Sequence, residues 1–191
     1  MIKIVLASAS PRRREILSQV GFDFEICPSD KEELVTSTAP EEVVLELSMQ
    51  KAKDIYERYQ EEDVLIIAAD TIVAKDDKIL GKPRDKEDAI EMLKLIQGSS
   101  HKVYTGVTLM LRKEDGCITK SFYEATKVNV FPMTMDNILE YIDSKEPFDK
   151  AGAYAIQGLF AAYIESIEGD YYNVVGLPIG RLCSKLRELN I

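Results

Sequence analysis

Hydrophobic and polar positions alternate with two periods along this 191-residue chain, and the switches between them mark its elements. Residues 2–7, "IKIVLA", read as a β-rich, largely buried strand. A helix follows, with Ser10 as N-cap, Pro11 at the first helical position and Ile16, Leu17 and Val20 on one face, until Gly21 ends it. "FDFEIC" (22–27) alternates as a second strand stopped by Pro28, and "PSDKEELVTSTAP" is a surface loop rich in turn formers and acids. From about Pro40 to Tyr59 the residues Val44, Leu47, Ser48, Lys51, Ile55 and Tyr59 recur at roughly 100° per residue, which predicts a long helix. "VLIIAADTIVA" (64–74) is a buried strand interrupted by an aspartate, "KDDK" a turn and "KILGKP" a short returning strand. "DKEDAIEMLKLIQG" (85–98) is a helix, acidic at its start and closed by Gly98.

Residues 101–112 and 117–131 pattern as two long paired strands around "KEDG", followed by a helix near 134–144. "DKAGAYAIQG" (149–158) is rich in small residues and resists a single assignment. "LFAAYIESI" (159–167) reads as a strand and "LPIGRLCSKLREL" (177–189) as a terminal helix with Pro178 near its start. This alternation predicts an α/β fold, a mixed sheet with antiparallel hairpins and flanking helices. No repeat or linker divides the chain, so residues 1–191 are expected to form one domain, or two tightly joined lobes.

Composition narrows the function classes. Apolar residues at 46% and charged residues at 30% are soluble-globular values. No apolar run approaches the roughly 20 residues of a membrane span, and the start of the chain is too short in apolar residues for a signal peptide. A cytoplasmic protein without membrane association is expected. Cys27, Cys117 and Cys183 are odd in number and widely spaced, so they suggest neither a disulfide framework nor a metal motif. The single histidine, His101, excludes any site built on several histidines and is read as structural. A formal net charge of -9 argues against nucleic acid as a partner while leaving room for a small anionic substrate.

Within that acidic chain, "SPRRRE" places Arg12, Arg13 and Arg14 in the first turn of a helix, where free N–H groups already make the field positive. Three breaches of a local rule in a row suggest a compensating anion, and a strand–turn–helix N-terminus is built to receive phosphate. Ser8 and Ser10 can add hydroxyl donors. Asp70, with Thr71, interrupts an otherwise apolar strand, and a buried carboxylate needs a metal, a cation or a water-filled cleft. Lys51 falls on the core-facing stripe of its helix, as a site cation or a snorkelling lysine, whereas Lys53 points away. Lys82, held in a stiff loop before Pro83, could aim an ammonium or lie in solvent. Glu32 and Glu33 offer hard oxygen ligands in a loop where solvated glutamates are also common. Gln157 could meet a planar base edge or cap a turn. Cations for phosphates, acids for a metal and one isolated strand aspartate suit metal-assisted phosphoanhydride hydrolysis. The chain lacks the GxxxxGK[ST] and GxGxxG loops of the common nucleotide-binding designs.

Six segments, "LASASPRRREIL", "QKAKDI", "AADTIV", "LGKPRD", "DKAGAYAIQG" and "GDYYNVVGLP", resemble in order and spacing the Maf family of nucleoside triphosphate pyrophosphatases, also called septum-formation proteins. The resemblance implies a fold akin to the inosine-triphosphatase type, with two lobes around a central cleft. It implies hydrolysis of a nucleoside triphosphate to the monophosphate and pyrophosphate with a divalent cation such as Mg or Mn. Asp70 matches the proton acceptor. Arg13, Lys51 and Lys82 match positions around the triphosphate, as does Ser8 more loosely, and Glu32 with Asp70 matches the metal position, with Glu33 one residue away. Arg12, Thr71 and Gln157 resemble the branch acting on dTTP and UTP, with CTP or modified pyrimidine nucleotides as neighbouring substrates. Donors such as Arg and Gln suit pyrimidine carbonyls. A homodimer is compatible with the family. The rival classes are a nucleotide-binding regulator of cell division whose hydrolysis is incidental, and a nucleic-acid module using the arginine run.

Overall fold

The computed structural model describes residues 2–60, 63–76, 78–114 and 116–191. The tips of the expected "KDDK" and "KEDG" turns, at Asp77 and Asp115, lie outside the described residues. Seven strands form one mixed sheet: β1 (Lys3–Leu6), β2 (Glu25–Ile26), β3 (Val64–Lys75), β4 (Lys78–Leu80), β5 (Ser100–Lys113), β6 (Gly116–Val130) and β7 (Ile164–Glu168). Their order is β2-β1-β3-β5-β6-β7, with β4 paired to β3. The expected α/β class with a mixed sheet and flanking helices is what forms.

The first three strands are parallel and the rest antiparallel. The parallel part is wound by α1 (Pro11–Gln19) and α2 (Pro40–Arg58), which cover opposite faces. Ile16 and Leu17 of α1 join a cluster with Leu6, Leu65 and Ile67, while Ala52 and Ile55 of α2 join one with Val5, Ile66 and Ala68. The alternation along β1 and β3 therefore sorts their apolar side chains to two cores, which is why both strands read as continuously hydrophobic. In an open sheet wound this way, a crevice opens beyond the carboxyl end of the strand where the crossovers diverge, here β1.

The same edge of β3 is shared by two short strands. β1 pairs with Val64–Ile67 and β4 with Val73–Lys75, so the intervening edge has no partner strand among the described residues. On the other side β5 accompanies β3 from Val64 to Ala74 without a break. Asp70 and Thr71 thus lie on a continuous strand beside a gap. Beyond the gap a further core gathers Val73, Leu80 and Val103 with Leu93 and Ile96 of α3 (Lys86–Ile96) and Ile138 and Ile142 of α4 (Met135–Asp143).

Two expectations are corrected, and one element is added. "FDFEIC" contributes only Glu25–Ile26 to the sheet, because Phe22 and Phe24 spend their alternation packing against the α1-side core. In "LFAAYIESI" the strand begins at Ile164. Leu159–Tyr163 is a 3₁₀ turn that rolls Phe160, fully buried, between Tyr141, Tyr154 and Tyr163. A short helix not anticipated, α5 (Tyr171–Val175), starts where the Asp170 carboxylate accepts from the Tyr172 N–H. The terminal helix α6 (Ile179–Glu188) forms as expected, with Pro178 as its N-cap.

Candidate active site

The strand gap is the floor of a cleft of ≈ 1150 Å³. Its wall on the β1 side is built by the turn into α1. The Ala7 N–H donates to the Ile67 carbonyl at 2.8 Å, the chain leaves the sheet, and Ser8 and Ser10 lead into Pro11. Helical phase then separates the three arginines. Arg13 is buried, Arg12 is half-buried on the cleft wall, and Arg14 is exposed and does not line the cleft.

Among the described residues Arg13 is held by neutral partners alone. Its Nε donates to the Gly176 carbonyl at 2.8 Å, Nη1 to Ser8 Oγ at 3.0 Å and Nη2 to Thr71 Oγ1 at 3.0 Å. A guanidinium carries five N–H groups, so two remain, one on each Nη. Burial pulls the guanidinium below its ordinary pKa, and the fields of Asp70 and Glu33 offset part of this. No carboxylate among the described residues forms a direct ion pair with it. A buried cation that lacks a bonded counter-ion, with donors to spare, is a site for an anionic ligand.

Asp70 points to the opposite face of β3, toward α2. Its Oδ1 accepts from Lys51 Nζ, and the same ammonium lies 2.9 Å from Glu33 Oε1. Both Lys51 and Asp70 are largely buried, with side chains 17% and 13% exposed, so this contact is shielded from bulk water. The approach depends on Gly106, which faces Asp70 across the β3–β5 ladder. A Cβ on Gly106 would stand 2.3 Å from the Val44 carbonyl oxygen of α2. Only a glycine lets the helix settle close enough for Lys51 to reach the strand.

Lys82, exposed on the loop after β4, lines the far wall, as does the exposed Gln157, while Arg12 stays on the α1 side. Ser8, Arg12, Arg13, Lys51, Asp70, Thr71, Lys82 and Gln157 therefore converge on one cleft. Glu32 does not line it. Glu33 does, and its Oε1 lies 2.9 Å from Lys51 Nζ. Thr71 lines the cleft, yet its hydroxyl is engaged by Arg13 and lies 2.9 Å from Thr105 Oγ1. Missed in the sequence was the Gly176 carbonyl, whose role rests on a backbone atom; the only trace was the "GLP" end of a quoted segment.

Asp70 and Glu33 both line the cleft, and carboxylate oxygens of this kind suit a hard divalent cation. Such a cation takes one or two carboxylates together with phosphate oxygens and water. No group of three or more His, Cys, Asp or Glu that could hold a metal by itself occurs among the described residues.

Comparison with known proteins finds relatives along nearly the whole chain. The profile of a family described as Maf-like protein matches residues 3–189. A dTTP/UTP pyrophosphatase of Lachnoclostridium phytofermentans is 52% identical over 192 residues, covering 100% of this chain and 97% of that protein. One from Carboxydothermus hydrogenoformans is 53% identical, covering 98% of each, and one from Bacillus anthracis is 45% identical, covering 100% of this chain and 97% of the relative. Among solved structures, a nucleoside-triphosphatase (dITP/XTP pyrophosphatase) from Mycobacterium abscessus overlays 68% of this chain and 74% of its own at 16% identity, with a TM-score of 0.41.

Proposed function

The chain belongs to the Maf-like protein family, and from that premise we propose that it hydrolyses dTTP and UTP to the nucleoside monophosphate and pyrophosphate. The observation that carries this reading is Arg13, a buried guanidinium with two free donors and no bonded carboxylate, in one cleft with Asp70. CTP and modified pyrimidine nucleotides are the neighbouring substrates.

In the proposed reaction Asp70 takes a proton from water as the water oxygen bonds to the α-phosphorus. The bond from that phosphorus to the α–β bridging oxygen breaks, and pyrophosphate leaves with the electron pair. Asp70 Oδ1 is taken by Lys51, and Oδ2 accepts no hydrogen bond among the described residues, which favours Oδ2 as the proton acceptor in this reading. Charge that grows on the leaving pyrophosphate is met by Arg13, Lys51 and Lys82. A divalent cation held by Asp70 and Glu33 supplies, when bound, charge neutralisation at the phosphate oxygens. Arg12 and Gln157, which also line the cleft, donate to pyrimidine carbonyls. Thr71, whose hydroxyl accepts from Arg13, supports the guanidinium at the triphosphate. The three free cysteines suit a reducing, cytoplasmic setting.

A steady-state panel of dTTP, UTP, CTP and 7-methyl-GTP, with pyrophosphate measured directly, tests the reading. dTTP and UTP should be preferred, a chelator should stop turnover, and added Mg or Mn should restore it. Asp70→Asn should lower kcat by about a thousandfold or more while largely sparing nucleotide affinity. Near-normal turnover in that variant would remove Asp70 as the base.

A further inference from the structure

Arg13 is aimed by a line of hydrogen bonds whose polarity can be assigned atom by atom. Nη2 donates to Thr71 Oγ1 at 3.0 Å, Thr71 Oγ1 lies 2.9 Å from Thr105 Oγ1, and Thr105 Oγ1 lies 2.9 Å from the Asn173 carbonyl oxygen. A carbonyl only accepts, so the single hydroxyl proton of Thr105 goes to Asn173. Thr105 must then accept from Thr71, and Thr71 in turn accepts from Arg13. Direction is forced along the whole line, from guanidinium to carbonyl.

The far end of this line is fixed. Thr105 and Asn173 are both fully buried, at 0% exposure. The Asn173 side-chain amide donates to the Val103 carbonyl at 3.0 Å and to Thr126 Oγ1 at 2.9 Å, which ties α5 to β5 and β6. Gly176, which ends α5, accepts from Arg13 Nε. One short helix therefore sets the guanidinium twice, through its terminal carbonyl and through Asn173 and the two threonines. Thr105 does not line the cleft and cannot touch a ligand there.

We propose that Thr105 is a positioning residue, whose hydroxyl acts through Thr71 to fix the rotation of Arg13 so that its two free N–H groups face the triphosphate. This rests on the cleft being a triphosphate site. Because Arg13 meets charge that grows as pyrophosphate leaves, a loosened guanidinium costs more in the transition state than in the ground state.

The test is a cycle of Thr105→Val, Thr105→Ser and Arg13→Lys, read by pyrophosphate release and by calorimetric binding of inorganic pyrophosphate. Thr105→Val should lower kcat by about tenfold or more, with a smaller change in KM, and weaken pyrophosphate binding several-fold. Thr105→Ser, which keeps the hydroxyl, should stay within about threefold of wild type on both readouts. In the Arg13→Lys background Thr105→Val should add nothing, because the effect passes through the guanidinium. If Thr105→Val does not fold, Thr105→Cys takes its place, a weaker donor of similar size. Wild-type values in the hydroxyl-free variant, an unrescued Thr105→Ser, or an equal drop in the Arg13→Lys background would each overturn the proposal. Wild-type protein that releases no pyrophosphate refutes the reaction alone, since the binding arm of the cycle still decides whether Thr105 acts through Arg13.

Discussion

Arg13 and His101 are both buried bases, and they meet burial in opposite ways. An arginine stays charged, so Arg13 is kept as a buried cation by three neutral oxygen acceptors. A histidine can give up its proton, and His101 does. It is 3% exposed, its Nε2 lies 2.6 Å from the Tyr154 hydroxyl, and its Nδ1 has no hydrogen-bond partner among the described residues. Burial, with a smaller push from Lys75, lowers its pKa from 6.5 to about 4. Between those values the unfolded chain binds a proton that the folded one refuses, so stability falls as pH drops through that window and levels off below it. Urea unfolding should lose about 2 kcal/mol between roughly pH 7.5 and pH 5 from this group. His101→Gln should flatten that slope, and an unchanged slope would remove His101 as its source. The structural role of the sole histidine was legible in its strand context. Which of three adjacent arginines is buried, and whether Glu32 or Glu33 turns inward, was not, because neighbours in sequence differ there only in the direction their side chains take once the turn has formed.

At the scale of elements, α2 decides whether the acid and its lysine meet. Ser48 Oγ sits 2.9 Å from Thr108 Oγ1 and Val44 lies over Gly106, so small groups along β5 let the helix lie low on the sheet. Gly106→Ala would force a methyl group into the α2 backbone, where no rotamer change relieves the clash. Expected are a loss of about 1–3 kcal/mol in unfolding free energy and a fall in kcat, since Lys51 would be lifted from Asp70; thermal melts and turnover check both. Long elements such as α2, β3 and the β5–β6 pair were readable because each repeats its period many times. β2, α5 and the 3₁₀ turn at Leu159–Tyr163 are too short to establish one, and tertiary packing assigned them. Phe160 shows why: its burial among three tyrosine rings favours a helical turn where the local pattern favours a strand.

Across the whole molecule, the cleft draws on segments at residues 7–13, 70–73, 80–82, 149–157 and 174–176, so a ligand there ties distant parts of the chain together. Inorganic pyrophosphate at a hundredfold its Kd should stabilise the fold by about 2.7 kcal/mol, a rise in Tm of roughly 5–10 °C. Arg13→Met should abolish most of that rise, and a full rise in the variant would show that the anion binds elsewhere. The sequence by itself determined the α/β class, the main helices and strands, and the residue types that gather at the cleft. Those follow from local periodicity and from charges that are costly where they stand, both of which can be read without a third dimension. Only the tertiary structure decided that β1 and β4 part along one edge of β3, that Asp70 and Thr71 serve opposite faces of that strand, and that Arg13 is left without a bonded carboxylate. Strand pairing and side-chain direction are set by contacts between residues far apart in the chain, so no stretch of the sequence taken alone contains them.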